Sequence, residues 1–423
     1  MTRAFYSLIL YVALPVIALR LLWRARLAPA YRRRWGERFA LTGSKPAGPS
    51  IWVHAVSVGE TLAALDMIRA LQRDYPKHRL LVTTTTPTGS ERVQSALGNT
   101  VDHVYLPYDL PDCWWRFFRR FRPQLLIVME TELWPNLLAA CARRKIPVLL
   151  ANARLSEKSA RGYQRLAWLT RPMVQRLTCI AAQQTADAER FVHLGVAADR
   201  VQVTGSIKFD LTLTDGLRQS ATALRQQWAP KDEIIWLAAS THQGEDDIVL
   251  QAFAQVRAQV PNLRLVLVPR HPERFDRVAA LCASSGWCTT RRSAPPCENF
   301  DVLVGDTMGE LLLFFGACHM AFVGGSLVPT GGHNMIEPAA WAKPVLCGPH
   351  LFNFAAVSRL MVDAGGLRIV EDANALAGAV LALMDARERD TMGRQALAVA
   401  DANRGALARL LALIETALAR EKI

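Results

Sequence analysis

The chain has 423 residues, about half of them apolar and about a fifth charged. It is too long for one ordinary core and too hydrophobic to be disordered, so two α/β domains of about 200 residues each are expected. A formal net charge of +13 calls for an anionic partner, which leaves nucleic acid, an acidic membrane surface or acidic substrates. The basic residues are not concentrated in any recognition motif, which sets nucleic acid aside. Eight cysteines include no C-x-x-C pair, and no histidine pair stands nearby at zinc-finger spacing. A reduced chain without a structural metal is expected.

The first element is an almost unbroken apolar stretch, Ala4 to Leu19. With Leu21, Leu22 and Trp23 it approaches the roughly 20 residues that cross a bilayer. Arg3 stands before it, and Arg20, Arg24, Arg26, Arg32, Arg33, Arg34 and Arg38 follow. That asymmetry predicts that the bulk of the protein lies on the cytoplasmic side. A cleavable signal peptide would carry its charges first and end in small residues; this segment does neither. Residues 1–40 therefore read as a membrane anchor with a basic flank. Three arrangements stay open: a span, a helix lying in the interface, or a buried helix of the globular part.

From residue 50 short apolar runs alternate with helical patterns. Strands are predicted at 51–57, 79–86, 102–108, 124–130, 146–153, 179–183 and 201–205. The alternation implies a parallel, doubly wound sheet with ligands at the carboxyl ends of its strands. Residues 41–210 form this first Rossmann-like domain, and the polar text of 211–232 reads as a linker. The pattern restarts at 233–240, 263–270, 301–306, 320–325, 344–348 and 367–371, giving a second Rossmann-like domain over 233–423 with terminal helices in 374–420. Two such domains facing across a cleft would suit a two-substrate transfer. No G-x-x-x-x-G-K-[ST] is present, and no G-x-G-x-x-G follows the first strand, which argues against a P-loop ATPase and a nicotinamide dehydrogenase.

Several residues at strand ends could carry chemistry. Glu60, in HAVSVGE, opens a helix and is read either as a general base or as an ordinary helix N-terminal acid. Glu130, in METELWPN, ends an apolar strand, where a carboxylate is costly unless a polar ligand or partner meets it. Lys208, in TGSIKFD, could meet a phosphate or carboxylate, or could simply be solvated. Arg270, in PRHPER, could grip a phosphate bidentately. Gly309 and Glu310, in TMGEL, stand at a helix start. In VGGSLVPTGGHNMIEPAAW, four glycines lead His333, Asn334 and Glu337 into a new helix, the pattern of a nucleotide site. Asp246 and Asp247 look like acids of a helix start. No acidic pair suited to bridging a diphosphate through a metal appears in a loop, so a metal-independent reaction is expected. Residues 160–177 read equally as a lipid-seating segment and as an amphipathic helix with a wet face.

Taken in order behind the anchor, HAVSVGE, METELWPN, TGSIKFD, PRHPER, TMGEL and GGSLVPTGGHNMIEPAAWAKPVL closely resemble the Kdo transferase family of lipopolysaccharide biosynthesis. The resemblance covers essentially the whole chain. It implies a two-domain GT-B glycosyltransferase with an N-terminal acceptor domain and a C-terminal nucleotide-sugar domain. It implies inverting transfer of 3-deoxy-D-manno-octulosonic acid (Kdo) from CMP-Kdo to a lipid A precursor, lipid IVA, with release of CMP. The expected place is the cytoplasmic face of the inner membrane, and no cofactor or metal is implied. Glu60 matches the general base, and Glu130 and Lys208 match residues that stabilise the transition state. Pro269 and Arg270, then Met308, Gly309 and Glu310, then Asn334, Met335, Ile336 and Glu337 match CMP-binding segments. Two rivals remain: a UDP-sugar-dependent GT-B transferase acting on another lipid-linked acceptor, and a membrane-tethered nucleotide-binding regulator without catalysis.

Overall fold

Runs of Val, Leu, Ile and Ala flanked by helices build two parallel sheets in the computed structural model, which describes residues 3–27, 29–42, 48–295, 297 and 299–419. The outermost residues of the predicted segments 1–40 and 233–423 lie outside that set. The first sheet holds β1 (Ser50–His54), β2 (Arg79–Thr84), β3 (Asp102–Tyr105), β4 (Pro123–Met129), β5 (Val148–Ala153), β6 (Cys179–Ala182) and β7 (Val201–Val203) in the order β3-β2-β1-β4-β5-β6-β7. The second holds β8 (Ile234–Thr241), β9 (Leu263–Pro269), β10 (Thr289–Arg291), β11 (Val302–Val304), β12 (Met320–Val323), β13 (Val345–Cys347) and β14 (Leu367–Ile369) in the order β10-β11-β9-β8-β12-β13-β14.

Alternate residues of the central strands feed cores on both faces of each sheet. In β1, Trp52 packs with Leu126 and Trp114 on one face, while Ile51 and Val53 pack with Ile127 and Met67 on the other. In β8, Trp236 joins one core and Ile235 and Leu237 the opposite one. Helices covering both faces leave the strands buried, which is why they read as continuous apolar runs. Strand order reverses at the centre of each sheet, between β1 and β4 and between β8 and β12, and in the second sheet again at the edge, where β10 lies outside β11. Such switch points open a crevice at the strand ends and are where ligands bind in open α/β sheets. The register brings His54 level with Thr83 and Val128, so the loops that follow these strands leave from one edge.

All thirteen predicted strands are present. The addition is β10, an edge strand of Thr289, Thr290 and Arg291 with partly exposed side chains and no apolar run to announce it. Two boundaries differ from expectation. The supposed linker 211–232 carries the helix Asp215–Trp228, whose Ala221, Leu224 and Trp228 are buried. Its Arg225 donates to the carbonyls of Gly316, Ala317 and Cys318, so the segment belongs to the second unit.

The terminal tract is three helices, Ala373–Ala382, Ala386–Ala402 and Ala406–Ala419. The last of them joins the first unit, so the compact units are 1–210 with 404–423, and 211–403. Ala406, Leu410 and Ile414 enter the first unit's core. Asp210 fastens the helix start by accepting from the Gly405 and Leu407 N–H groups at 2.5 and 2.6 Å.

Arg3–Leu27 is one helix, running through Pro15, and among the described residues it alone is long and apolar enough to cross a membrane. Segment 160–177 is two short helices, Glu157–Arg165 and Ala167–Val174, broken at Leu166.

Candidate functional site

In the first unit the switch point brings Glu60, Glu130 and Lys208 together. Ser57 caps the helix Val58–Asp74, and Glu60 occupies its third position. The Glu60 carboxylate accepts from the Val56 N–H at 2.8 Å and from the Ser57 hydroxyl at 2.9 Å. That is close to a capping box, with the acid reaching one residue further back. The helix mouth is open at Gly59, where an added Cβ would meet only Ser57 Oγ at 3.9 Å. Burial pushes the Glu60 carboxyl up to about 7; the Val56 N–H opposes this, and the nearby Glu130 charge adds to it.

Glu130 follows β4 in a left-handed conformation, φ 56°. Its N–H donates to Ala151 O at 2.9 Å, and its carboxylate meets Lys208 Nζ at 3.1 Å. Beside it, Glu132 is raised by burial and by the Glu130 charge. Lys208 lies in the turn Ile207–Phe209, whose Ile207 and Phe209 side chains are buried. The turn is held by Asn152, whose Oδ1 accepts from Ile207 N at 3.2 Å.

Asn152 was not singled out in the sequence. It is fully buried, has φ 52°, and keeps its Nδ2 buried without a partner among the described residues. A polar residue closing the apolar run VLLA was the available signal.

This set has one carboxyl poised to titrate near neutrality and one ion pair next to it. A general base works best when its pKa lies near the working pH. Because the Glu130 charge raises Glu60, Glu130→Gln should move the acid limb of the pH–rate profile to lower pH. Profiles of the two proteins side by side check this, and an unmoved limb would show that the two carboxylates do not interact.

The second unit's switch point holds the glycine-rich loop. Glu245, fully buried, accepts from four backbone N–H groups: His242 at 2.8 Å, Gly325 at 2.7 Å, Ser326 at 2.9 Å and Leu327 at 2.8 Å. Glycine is required at 324 because a Cβ there would lie 2.7 Å from Ser240 O. Glu245 was passed over in the sequence because it stands in the ordinary GEDD helix start. Asp246 is likewise more than a helix-start acid: it is buried, accepts from Thr241 Oγ1 at 2.6 Å and pairs with Arg274.

Pro269 ends β9, and the Arg270 N–H donates to Thr241 O at 3.0 Å. The Arg270 guanidinium takes no hydrogen-bond partner among the described residues, yet its charge reaches Glu337 and His333. Burial raises Glu337, against the hydrogen bond from Asn334 and the Arg270 charge. Asn334 donates to Glu337 at 2.9 Å and accepts from Ile336 N at 3.1 Å.

His333 and His242 stack with their Nε2 atoms 2.8 Å apart. Burial and then the Arg270 charge lower His333 to about 3, and burial lowers His242 as well. Met335 and Ile336 are core side chains, 0% and 1% exposed, which leaves only their backbone to a ligand. Met308 is exposed, and Gly309 has φ 86°. Although burial pushes it up, Glu310 is held below the usual carboxylate range by Arg292, at 2.8 Å, and Thr307. The unit thus offers a guanidinium without a hydrogen-bond partner among the described residues, beside a carboxylate–amide pair and a braced glycine loop, which suits an anionic ligand that also offers hydroxyl groups.

Comparison with known proteins follows the same lines. Residues 33–211 match the family model described as 3-deoxy-D-manno-octulosonic-acid transferase (kdotransferase). A 3-deoxy-D-manno-octulosonic acid transferase of Haemophilus influenzae is 44% identical, the alignment covering 99% of this chain and 100% of that one. One from Bordetella pertussis is 36% identical over 98% of this chain and 99% of its own. A glycosyltransferase structure from Rickettsia africae aligns with TM-score 0.57 at 13% identity, covering 88% of this chain and 99% of that one. Two parallel α/β sheets of GT-B type are thereby established as the fold.

Proposed function

The chain belongs to the Kdo transferase family of glycosyltransferases, and from that premise we propose that it transfers Kdo from CMP-Kdo to lipid IVA in lipopolysaccharide core biosynthesis. Transfer inverts the anomeric centre and takes place at the cytoplasmic face of the inner membrane. The first unit takes the acceptor and the second takes the nucleotide sugar. Glu60 removes the proton from the acceptor hydroxyl as its oxygen attacks the anomeric carbon of Kdo. The bond from that carbon to the CMP phosphate breaks, and CMP leaves with the electron pair. Lys208, set by Glu130, offsets negative charge developing in the transition state. Arg270, the backbone near Gly309, and Asn334 with Glu337 hold CMP.

The observation that carries this reading is Glu60: a carboxyl at a switch point, hydrogen-bonded in place and raised to about 7, as a base acting near neutrality should be. One phosphate on the leaving group fits a site in which arginine and backbone N–H groups replace a metal as the electrostatic stabiliser. The test is to incubate the full chain with CMP-Kdo and lipid IVA in the presence of EDTA and to read released CMP and product mass. Transfer with CMP release is expected. Tight UDP binding without CMP binding would favour the UDP-sugar reading, and nucleotide binding without any product would favour a regulator. Product mass also counts the sugars added.

A further inference from the structure

The helix Arg3–Leu27 is long enough to span a bilayer, yet its first half is tied to the body of the first unit. The Ser7 hydroxyl lies 3.0–3.1 Å from the Asn136 side chain. Asn136 is buried and donates in turn to the buried Asp109 through its backbone N–H at 2.9 Å and its amide at 2.6 Å. Tyr6 also bonds Asp109, and Tyr11 donates to Asp112 at 2.5 Å. Toward the other end, where the helix meets the turn Pro29–Arg32 that follows it, Leu21 and Ala25 are buried. Ser7, Leu10, Leu14, Ile17, Leu21 and Ala25 follow one another in steps of three and four, all buried or partly buried.

The opposite face is a continuous apolar stripe. Phe5, Leu8, Val12, Val16, Leu19 and Trp23 are 42–72% exposed, again in steps of three and four, and no acidic residue interrupts the helix. A span would carry Tyr6, Ser7 and Tyr11 into hydrocarbon together with the buried Asp109 and Asn136, which is costly. The part beyond these ties, 12–27, reaches only about 24 Å against about 30 Å of hydrocarbon core. It also contains Arg20, Arg24 and Arg26.

We propose that this helix lies in the plane of the bilayer interface as a monotopic anchor, with its apolar stripe among acyl chains and its arginines among anionic headgroups. The surroundings match such a surface. Trp115, one turn beyond Asp112, is exposed and carries the Arg119 guanidinium 4.6 Å from its ring centre. Leu166 and Trp168 are also exposed, and Arg176 stands within electrostatic reach of Arg3. Aromatic rings and arginines of this kind favour the headgroup layer. A net charge of +13 favours an anionic lipid surface over a second copy of the chain as the cover for this stripe.

The inference deepens the proposed membrane location, and its test needs no sugar donor, so its failure is distinguishable from failure of the transferase reading. In the full chain, with the three cysteines that are not buried, Cys179, Cys288 and Cys297, replaced by alanine, one cysteine at a time introduced at position 5, 12, 19 or 23 carries a nitroxide label. Depth is measured on vesicles of phosphatidylethanolamine and phosphatidylglycerol. One shallow depth at all four positions is expected. A profile that deepens toward the helix centre and rises again would mean a span and overturn the proposal. So would labels shielded from lipid by a second chain. A double variant, Val12→Glu with Val16→Glu, should weaken vesicle binding at least about tenfold while transfer to acceptor dispersed in detergent is unchanged. Undiminished vesicle binding by that variant would also overturn the proposal.

Discussion

Replacing Glu60 by glutamine is expected to lower turnover by about a hundred- to ten-thousand-fold while leaving CMP affinity and thermal stability close to those of the parent. Glutamine keeps the size of the side chain and can still accept from the Val56 N–H and meet the Ser57 hydroxyl, the two bonds that now hold Glu60. What it cannot do is take a proton. The base we propose acts in its charged form, and burial has raised it to about 7. The rate of the parent should therefore fall as pH drops below about 7, approaching tenfold per unit, and level off above it. The residual rate of the glutamine variant should lose that acid limb. Steady-state rates across pH, with CMP affinity measured by calorimetry, check both halves. Near-normal turnover by the variant would remove Glu60 from the mechanism.

The second large effect is expected at a residue with no chemical role. Glu245→Ala should destabilise the second unit by about 4 kcal/mol and abolish measurable CMP binding. Among the described residues, Glu245 is the carboxylate that accepts from the N–H groups of His242, Gly325, Ser326 and Leu327. Each buried donor left without a partner costs about 1–3 kcal/mol, and water entering the vacated space offsets part of the sum. Glu245→Gln keeps one oxygen, which can serve the Ser326 and Leu327 pair, and should lose about half as much. Urea unfolding, read by hydrogen exchange of the Ile234–Thr241 strand at the centre of the second unit, measures the loss. An unchanged midpoint for the alanine variant would show that the glycine loop holds its shape without this carboxylate.

These two residues also mark what was legible in the sequence. Glu60 could be singled out as a candidate because its signal is local: a strand, a capping serine and an acid at the third helical position stand within a few residues of one another. Glu130 and Arg270 were visible for a similar reason, as charges ending apolar strands. The shape of the site was not visible. Asn152 matters through Ile207, and the Lys208 turn is set partly by Asp210, which also fastens a helix from the far end of the chain. Met335 and Ile336 sit inside a telling motif, yet their side chains belong to the core.

Periodicity and composition by themselves determined the strands, the helices between them, the two-sheet class and the apolar N-terminal helix, because each follows from neighbours along the chain. Tertiary structure decided the rest: that the Asp215–Trp228 helix belongs to the second unit, that Ala406–Ala419 returns to the first, and that the N-terminal helix is tied to the first unit through Tyr6, Ser7 and Tyr11. It also turned Glu245 from a helix-start acid into the brace of a loop 80 residues away. A buried hydrogen bond or a packed face needs a partner brought from elsewhere in the chain, and local pattern carries no information about which distant group will meet it.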